Sequence, residues 1–127
     1  MKVSRINATD APQPVGGYAQ AMLLDGARRI LLISGQIPQT TDGRVPAEFR
    51  AQADLCLANI DAQLRAAGMS RDNIVKLTFF LSDRRYTEDY RAARKAYLGD
   101  RSVGLTTIIT GIFDPTWLIE IEAIAAD

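Results

Sequence analysis

The feature that most limits what this chain can fold into is a change of hydrophobic period that occurs twice. Across residues 46–67 apolar side chains recur at three- and four-residue spacing, through Phe49, Ala53, Cys56, Ile60, Leu64 and Ala67, with charges on the other side. That is the stripe of an amphipathic helix. Pro46 suits its first turn and Gly68 the position just past its end. A second stripe, made of Tyr90, Ala93, Arg94 and Tyr97, predicts a helix over about Thr87–Leu98, stopped by Gly99-Asp100. Between the two lies Ile74–Leu81, rich in β-branched and aromatic residues with a period of two. There Val75, Leu77, Phe79 and Leu81 point one way and Lys76, Thr78 and Phe80 the other.

The remaining runs read as strands. Residues 1–7 alternate weakly and suit an edge strand, and residues 11–17, with two prolines and a Gly pair, form a loop. Residues 18–24 and 29–34 are strands with the turn dipeptide Asp25-Gly26 between them, which predicts a hairpin. Residues 35–46 form an exposed loop. Residues 103–111 and 117–125, joined by 112–116, form a closing hairpin in which Leu105, Thr107 and Ile109 share one face and Glu120 and Glu122 share one face. The order β-β-β-α-β-α-β-β describes an α+β fold with both helices on one face of the sheet. No repeat or linker divides it, so residues 1–127 are a single domain. The second face has no cover within the chain, yet Leu105, Ile109 and Ile124 are expected on it. Apolar character on both faces predicts a homo-oligomer.

The chemistry is bounded by what is missing. Histidine is absent and Cys56 is the only cysteine, so disulfide scaffolds, the usual zinc sites and Ser-His or Cys-His nucleophiles are excluded. Acid–base work falls to Asp, Glu, Tyr, Lys or water. On an apolar helix face, Cys56 reads as a buried, inert thiol rather than a reactive one. Acidic and basic residues number 15 each, which leaves no basic footprint for nucleic acid or a membrane surface and points to a small-molecule or protein partner. Residues 1–7 carry no apolar core of signal-peptide length, and runs such as Ile30-Leu31-Leu32-Ile33 are far too short to span a bilayer, so a soluble, cytoplasmic protein is expected. Gly16-Gly17 lacks the Lys-Ser/Thr of a phosphate loop. From its pattern alone Glu120 is either a solvated strand residue or a catalytic carboxylate, and Tyr18 either a packed aromatic or a cleft residue.

Four motifs in order, Gly17-Tyr18-Ala19-Gln20-Ala21, Ile33-Ser34-Gly35-Gln36-Ile37-Pro38, Ala66-Ala67-Gly68 followed by Ile74-Val75-Lys76-Leu77-Thr78, and Leu118-Ile119-Glu120-Ile121-Glu122-Ala123-Ile124-Ala125, resemble the RidA/YjgF family over nearly the whole chain. The resemblance implies a chorismate-mutase-like fold with a mixed sheet, assembled as a homotrimer with ligand clefts between subunits. It also implies cofactor-free hydrolysis of enamines and imines to 2-oxo acids and ammonia. The family's cleft residues carry over as Tyr18, Ser34 with Gly35, Leu105, Thr107 and Glu120. Glu120 and Thr107 would then be catalytic, and Tyr18, Ser34, Gly35 and Leu105 would bind the substrate. One position departs: where the family has Pro-Ala-Arg, this chain has Val103-Gly104-Leu105. A guanidinium there grips a carboxylate through paired charge-assisted hydrogen bonds, and leucine donates none. The alternative is therefore a non-catalytic trimer that binds a metabolite or a protein at the same clefts. Arg91 is a possible substitute cation or an ordinary surface arginine. Arg101, four residues before Leu105, lies roughly 13 Å away along an extended chain. Ribonuclease activity is disfavoured by the neutral charge and the absence of histidine.

Overall fold

A computed structural model describes all 127 residues. Six strands and two helices follow the expected order: β1 (Lys2–Ile6), β2 (Ala21–Asp25), β3 (Ile30–Gln36), α1 (Phe49–Ala66), β4 (Ile74–Leu81), α2 (Thr87–Leu98), β5 (Gly104–Ile109) and β6 (Ile119–Ala126). β3, β6, β4 and β5 form a mixed sheet in that spatial order, and β1 pairs with β2 in a separate ribbon. α1 and α2 cover one face of the sheet, over a core that includes Ile33, Phe49, Cys56, Ile60, Leu77, Phe79, Ile119 and Ile121. No helix is long and apolar enough to cross a membrane.

Neither expected hairpin forms. β2 pairs antiparallel with β1 and β3 with β6, so Asp25-Gly26 turns the chain from the ribbon to the sheet. The two closing strands do not touch either. β5 runs parallel to β4, as a strand delivered by a helical crossover must, and β6 lies antiparallel on the other side of β4. Both ends of the connecting loop tie to the end of β4, through Thr110 N–H to Leu81 C=O at 2.9 Å and Ser82 N–H to Leu118 C=O at 3.0 Å. Tyr18 also falls outside the strand expected over 18–24, in the loop before β2, where Ala19 bridges to Gly104.

Two bulges reset the faces. Between Ile33 and Gln36, which pair with Ala123 and Ile121, β3 carries one residue more than β6. Between Ile74 and Lys76, paired with Ala125 and Ile124, Val75 is the extra residue of β4. Ile74 consequently joins the core, and Val75 faces β2 near Met22 and Leu24 instead of lining up with Leu77. Directly paired residues share a face. Leu105, Thr107 and Ile109, opposite Leu77, Phe79 and Leu81, therefore lie on the helix side. This corrects the expectation that Leu105 and Ile109 belong to the uncovered face. That face carries Phe80, Ile108, Leu32 and Ile124 with Lys76, Thr78, Glu120 and Glu122; Leu32 is 73% exposed and Ile108 42%.

The helices are placed by polar groups as well as by their stripes. Gly68, at φ +71°, closes α1 with Met69 N–H on Leu64 C=O and Gly68 N–H on Arg65 C=O, a left-handed cap that glycine adopts without a Cβ clash. Pro46 lies ahead of the helix, not in its first turn, and its carbonyl accepts from Gln52. Buried Gln52 satisfies all its groups: its amide donates to Pro46 C=O (2.8 Å) and Thr116 C=O (3.0 Å), and its carbonyl accepts from Leu118 N–H (2.7 Å). It thereby anchors the loop leading into β6. Gln52→Leu strands three backbone groups and is expected to lower the unfolding free energy by about 2–4 kcal/mol, read from urea titration; a change under about 1 kcal/mol would contradict this role.

Candidate functional site

β6 sets Glu120 on the uncovered face, near the end of the sheet where β6 begins and β4 finishes, opposite Phe80 of β4. The bulge in β3 brings Gly35 beneath its carboxylate, so close that a Cβ on Gly35 would stand 2.2 Å from Oε2. Only glycine lets the carboxylate lie there. Partial burial, reinforced by the charge of Glu122, raises the pKa of Glu120 above the usual carboxylate range, and no hydrogen bond or ion pair within the chain offsets that. Phe80, Gly111, Ile112 and Phe113 share the shallow pocket at Glu120, with Phe113 95% exposed. A half-dry, unpartnered carboxylate of raised proton affinity is a competent general base.

Thr107 lies on the opposite side of the sheet. Its hydroxyl hydrogen-bonds with that of Tyr90 on α2, which in turn receives a guanidinium N–H from Arg94 at 2.7 Å. One protomer therefore does not bring Thr107 to Glu120. Leu105 shares Thr107's face, packing partly on the core and lining a cleft of about 470 Å³ with Tyr18, Arg91 and Arg94. The Tyr18 hydroxyl accepts Val15 N–H at 3.4 Å, leaving its own proton free to donate. Ser34 is exposed on the uncovered face, in a pocket with Leu32, Lys76, Thr78 and Glu122. The six candidates thus fall into two groups on opposite faces of the sheet: Tyr18, Leu105 and Thr107 with α2, and Ser34, Gly35 and Glu120 on the far face.

Sequence reasoning missed the basic character of the cleft beside Tyr18 and Leu105. Arg5, Arg91, Arg94, Lys95 and Arg101 all line the cleft, with Asp100 its single carboxylate. The usable signal was Arg91-Ala92-Ala93-Arg94-Lys95, whose spacing of three and four sets cations along one side of a helix. Arg101 reaches the cleft because the chain folds back after α2, with Arg101 N–H on Leu98 C=O at 3.0 Å. Cys56 is fully buried and its thiol pKa is pushed up by desolvation, then by the charge of Glu120. That keeps it protonated and unreactive. No group of three or more His, Cys, Asp or Glu residues is placed to hold a metal ion.

Comparisons with known proteins follow the same architecture. Residues 8–127 match the family model described as Endoribonuclease L-PSP. A RutC family protein of Aquifex aeolicus is 34% identical over 120 residues, covering 92% of each chain, and one of Pyrococcus horikoshii is 34% identical over 118 residues, covering 91% of each. A Yersinia pestis protein of the conserved Rid family, YyfB, superposes with a TM-score of 0.83 at 25% identity, covering both chains completely. The E. coli protein TdcF, solved with bound serine, superposes with a TM-score of 0.74 at 29% identity over 98% of each chain. With residues 8–127 matching the family model, and with relatives and solved structures of the same family matched over nearly their whole length, the chain belongs to the RidA/YjgF family.

Proposed function

We propose that the protein is a cofactor-free enamine/imine hydrolase of deaminase type, acting as a homotrimer in which the Tyr18–Leu105 cleft of one subunit faces Glu120 of the next. The observation that carries this reading is Glu120, unpartnered, half-buried and seated on Gly35. An imine carbon is already electrophilic. A water positioned at Glu120 adds to it as the carboxylate takes the water's proton. Glu120 passes that proton to the nitrogen, giving a neutral carbinolamine; as the C–N bond breaks, the carbinolamine's hydroxyl proton moves through the carboxylate to the nitrogen, which leaves as ammonia, and a carbonyl remains. Assembly is supported by the placement of the two groups of candidates on opposite faces of the sheet and by the exposed Leu32 and Ile108 on the same face as Glu120. The serine bound to TdcF is a small amino acid, a ligand of the size and polarity this reading needs.

A second reading is favoured by Leu105: a non-catalytic trimer that binds a metabolite or a protein at the same clefts. Ammonia release from a 2-imino acid generated in situ separates the two. Acceleration over buffer is expected for the wild-type chain, and Leu105→Arg is expected to raise kcat/KM for 2-imino acids at least about tenfold by restoring a carboxylate fork. No acceleration by either protein would leave the binding reading. Sedimentation showing only monomer at micromolar concentration would overturn the assembly.

A further inference from the structure

The cations around Tyr18 and Leu105 differ in how far the fold neutralises them. Arg91 is paired with Glu88 at 3.0 Å and Arg101 with Asp72. Arg5, Arg94 and Lys95 have no carboxylate within 4 Å, and only Asp100 stands against them in the cleft, which leaves an excess of about two positive charges. The chain as a whole is neutral. The excess is therefore local, assembled from β1 and α2 and only partly offset by Asp100 in the loop after α2.

Arg94 is also the most ordered of the three. One of its N–H groups is committed to the Tyr90 hydroxyl at 2.7 Å, and its guanidinium lies 5.0 Å over the Tyr90 ring, which packs edge-on against Phe79. A planar fork held this way has already lost much of its rotamer freedom, and its remaining donors suit a planar or tetrahedral anion. Ser102 lines the same cleft, and its hydroxyl is the one buried side-chain polar atom in the chain without a hydrogen-bond partner. With the free Tyr18 hydroxyl proton, the cleft combines unneutralised charge and a fixed fork in about 470 Å³, the scale of a small-molecule site, and the buried Ser102 hydroxyl behind its wall is left without a partner.

We propose that this cleft binds a small dianion, a dicarboxylate or a phosphate monoester, with Arg94 as the anchor and Lys95 and Arg5 completing the charge. It rests on reading the Tyr18–Leu105 cleft as the ligand site, but not on hydrolysis. Leu105 then forms the apolar wall, and the ligand's charge sits against α2 instead of β5. Arg91 is not the substitute cation, because Glu88 already neutralises it.

Isothermal titration at fixed ionic strength with succinate, glycerol 3-phosphate and acetate tests this. At least one dianion is expected to bind ten times or more tighter than acetate, and the tighter of the two dianions identifies the ligand chemistry. Arg94→Gln is expected to weaken the preferred dianion about 10- to 100-fold, and Arg94→Lys to retain part of the preference. Arg50→Gln, whose parent side chain pairs with Asp54 on α1, is expected to leave it unchanged. Circular dichroism checks that each variant is folded. Equal affinity for acetate and dianions, no binding of any probe, unchanged affinity in folded Arg94→Gln, or a single-stranded RNA oligonucleotide binding more tightly than either dianion would overturn the proposal. Dianion binding without imine turnover would leave this inference standing and remove the hydrolase reading; the converse result would do the opposite.

Discussion

Glu120→Gln is expected to lower kcat for imine hydrolysis by about 10²- to 10⁴-fold with a much smaller change in KM, because the amide keeps the shape but cannot take a proton. The same variant is expected to be more stable than the wild type at neutral pH. Desolvation, and then Glu122, raises the folded-state pKa of Glu120. The fold therefore prefers the protonated side chain, and that preference adds stability in acid which is lost as pH rises through the raised value. Gln mimics the protonated form at every pH. The difference in melting temperature between Glu120→Gln and wild type should accordingly be positive at pH 7 and close as pH falls below the usual carboxylate range. The wild-type rate should fall on the acid side with an apparent pKa above that range. Gly35→Ala tests the same geometry from below. Its new Cβ would stand 2.2 Å from Oε2, so the flexible carboxylate must leave its seat. Activity is expected to fall nearly as far as in Glu120→Gln, with a stability change within about 1 kcal/mol. Turnover within twofold of wild type in Glu120→Gln would remove the carboxylate from the mechanism.

Phe79→Ala is expected to cost about 3–5 kcal/mol in unfolding free energy, measured by urea titration. Phe79 is 1% exposed at the centre of the sheet's helix face, between Thr107 and Ile121 on the flanking strands. Its ring meets Tyr90 edge-on at 4.8 Å, an arrangement worth about 0.5–1.5 kcal/mol beyond burial. Tyr90 also carries the hydrogen bonds to Thr107 and Arg94. Removing the ring is thus expected to loosen Arg94 and weaken anion binding as well as the core. A loss under about 1.5 kcal/mol would contradict this placement.

Much of the fold was legible because its signals are local. The stripe Phe49, Ala53, Cys56, Ile60, Leu64 is the buried face of α1, and Gly68 ends that helix as expected. The alternation in β6 separates buried Ile119, Ile121 and Ala123 from Glu120 and Glu122. Val75 shows the limit of such reading. Period two aligned it with Leu77, and a bulge that depends on β6 turned it toward β2. Thr107 shows the same limit in the site. Alternation grouped it correctly with Leu105 and Ile109, but which face that group occupies depends on β5 joining β4 in parallel.

By itself the sequence determined the element order, the glycines that close both helices, and the exclusion of histidine and disulfide chemistry. These follow from side-chain spacing and residue identity within short stretches. Only the tertiary structure decided that β4 lies between β5 and β6, that Gly35 seats the Glu120 carboxylate, that Thr107 and Glu120 face opposite ways, and that Arg5, Arg94 and Lys95 meet around one cleft. Each of those depends on pairing or packing between segments distant in the chain. Such pairing is selected by burial of the whole core, and no local period encodes it.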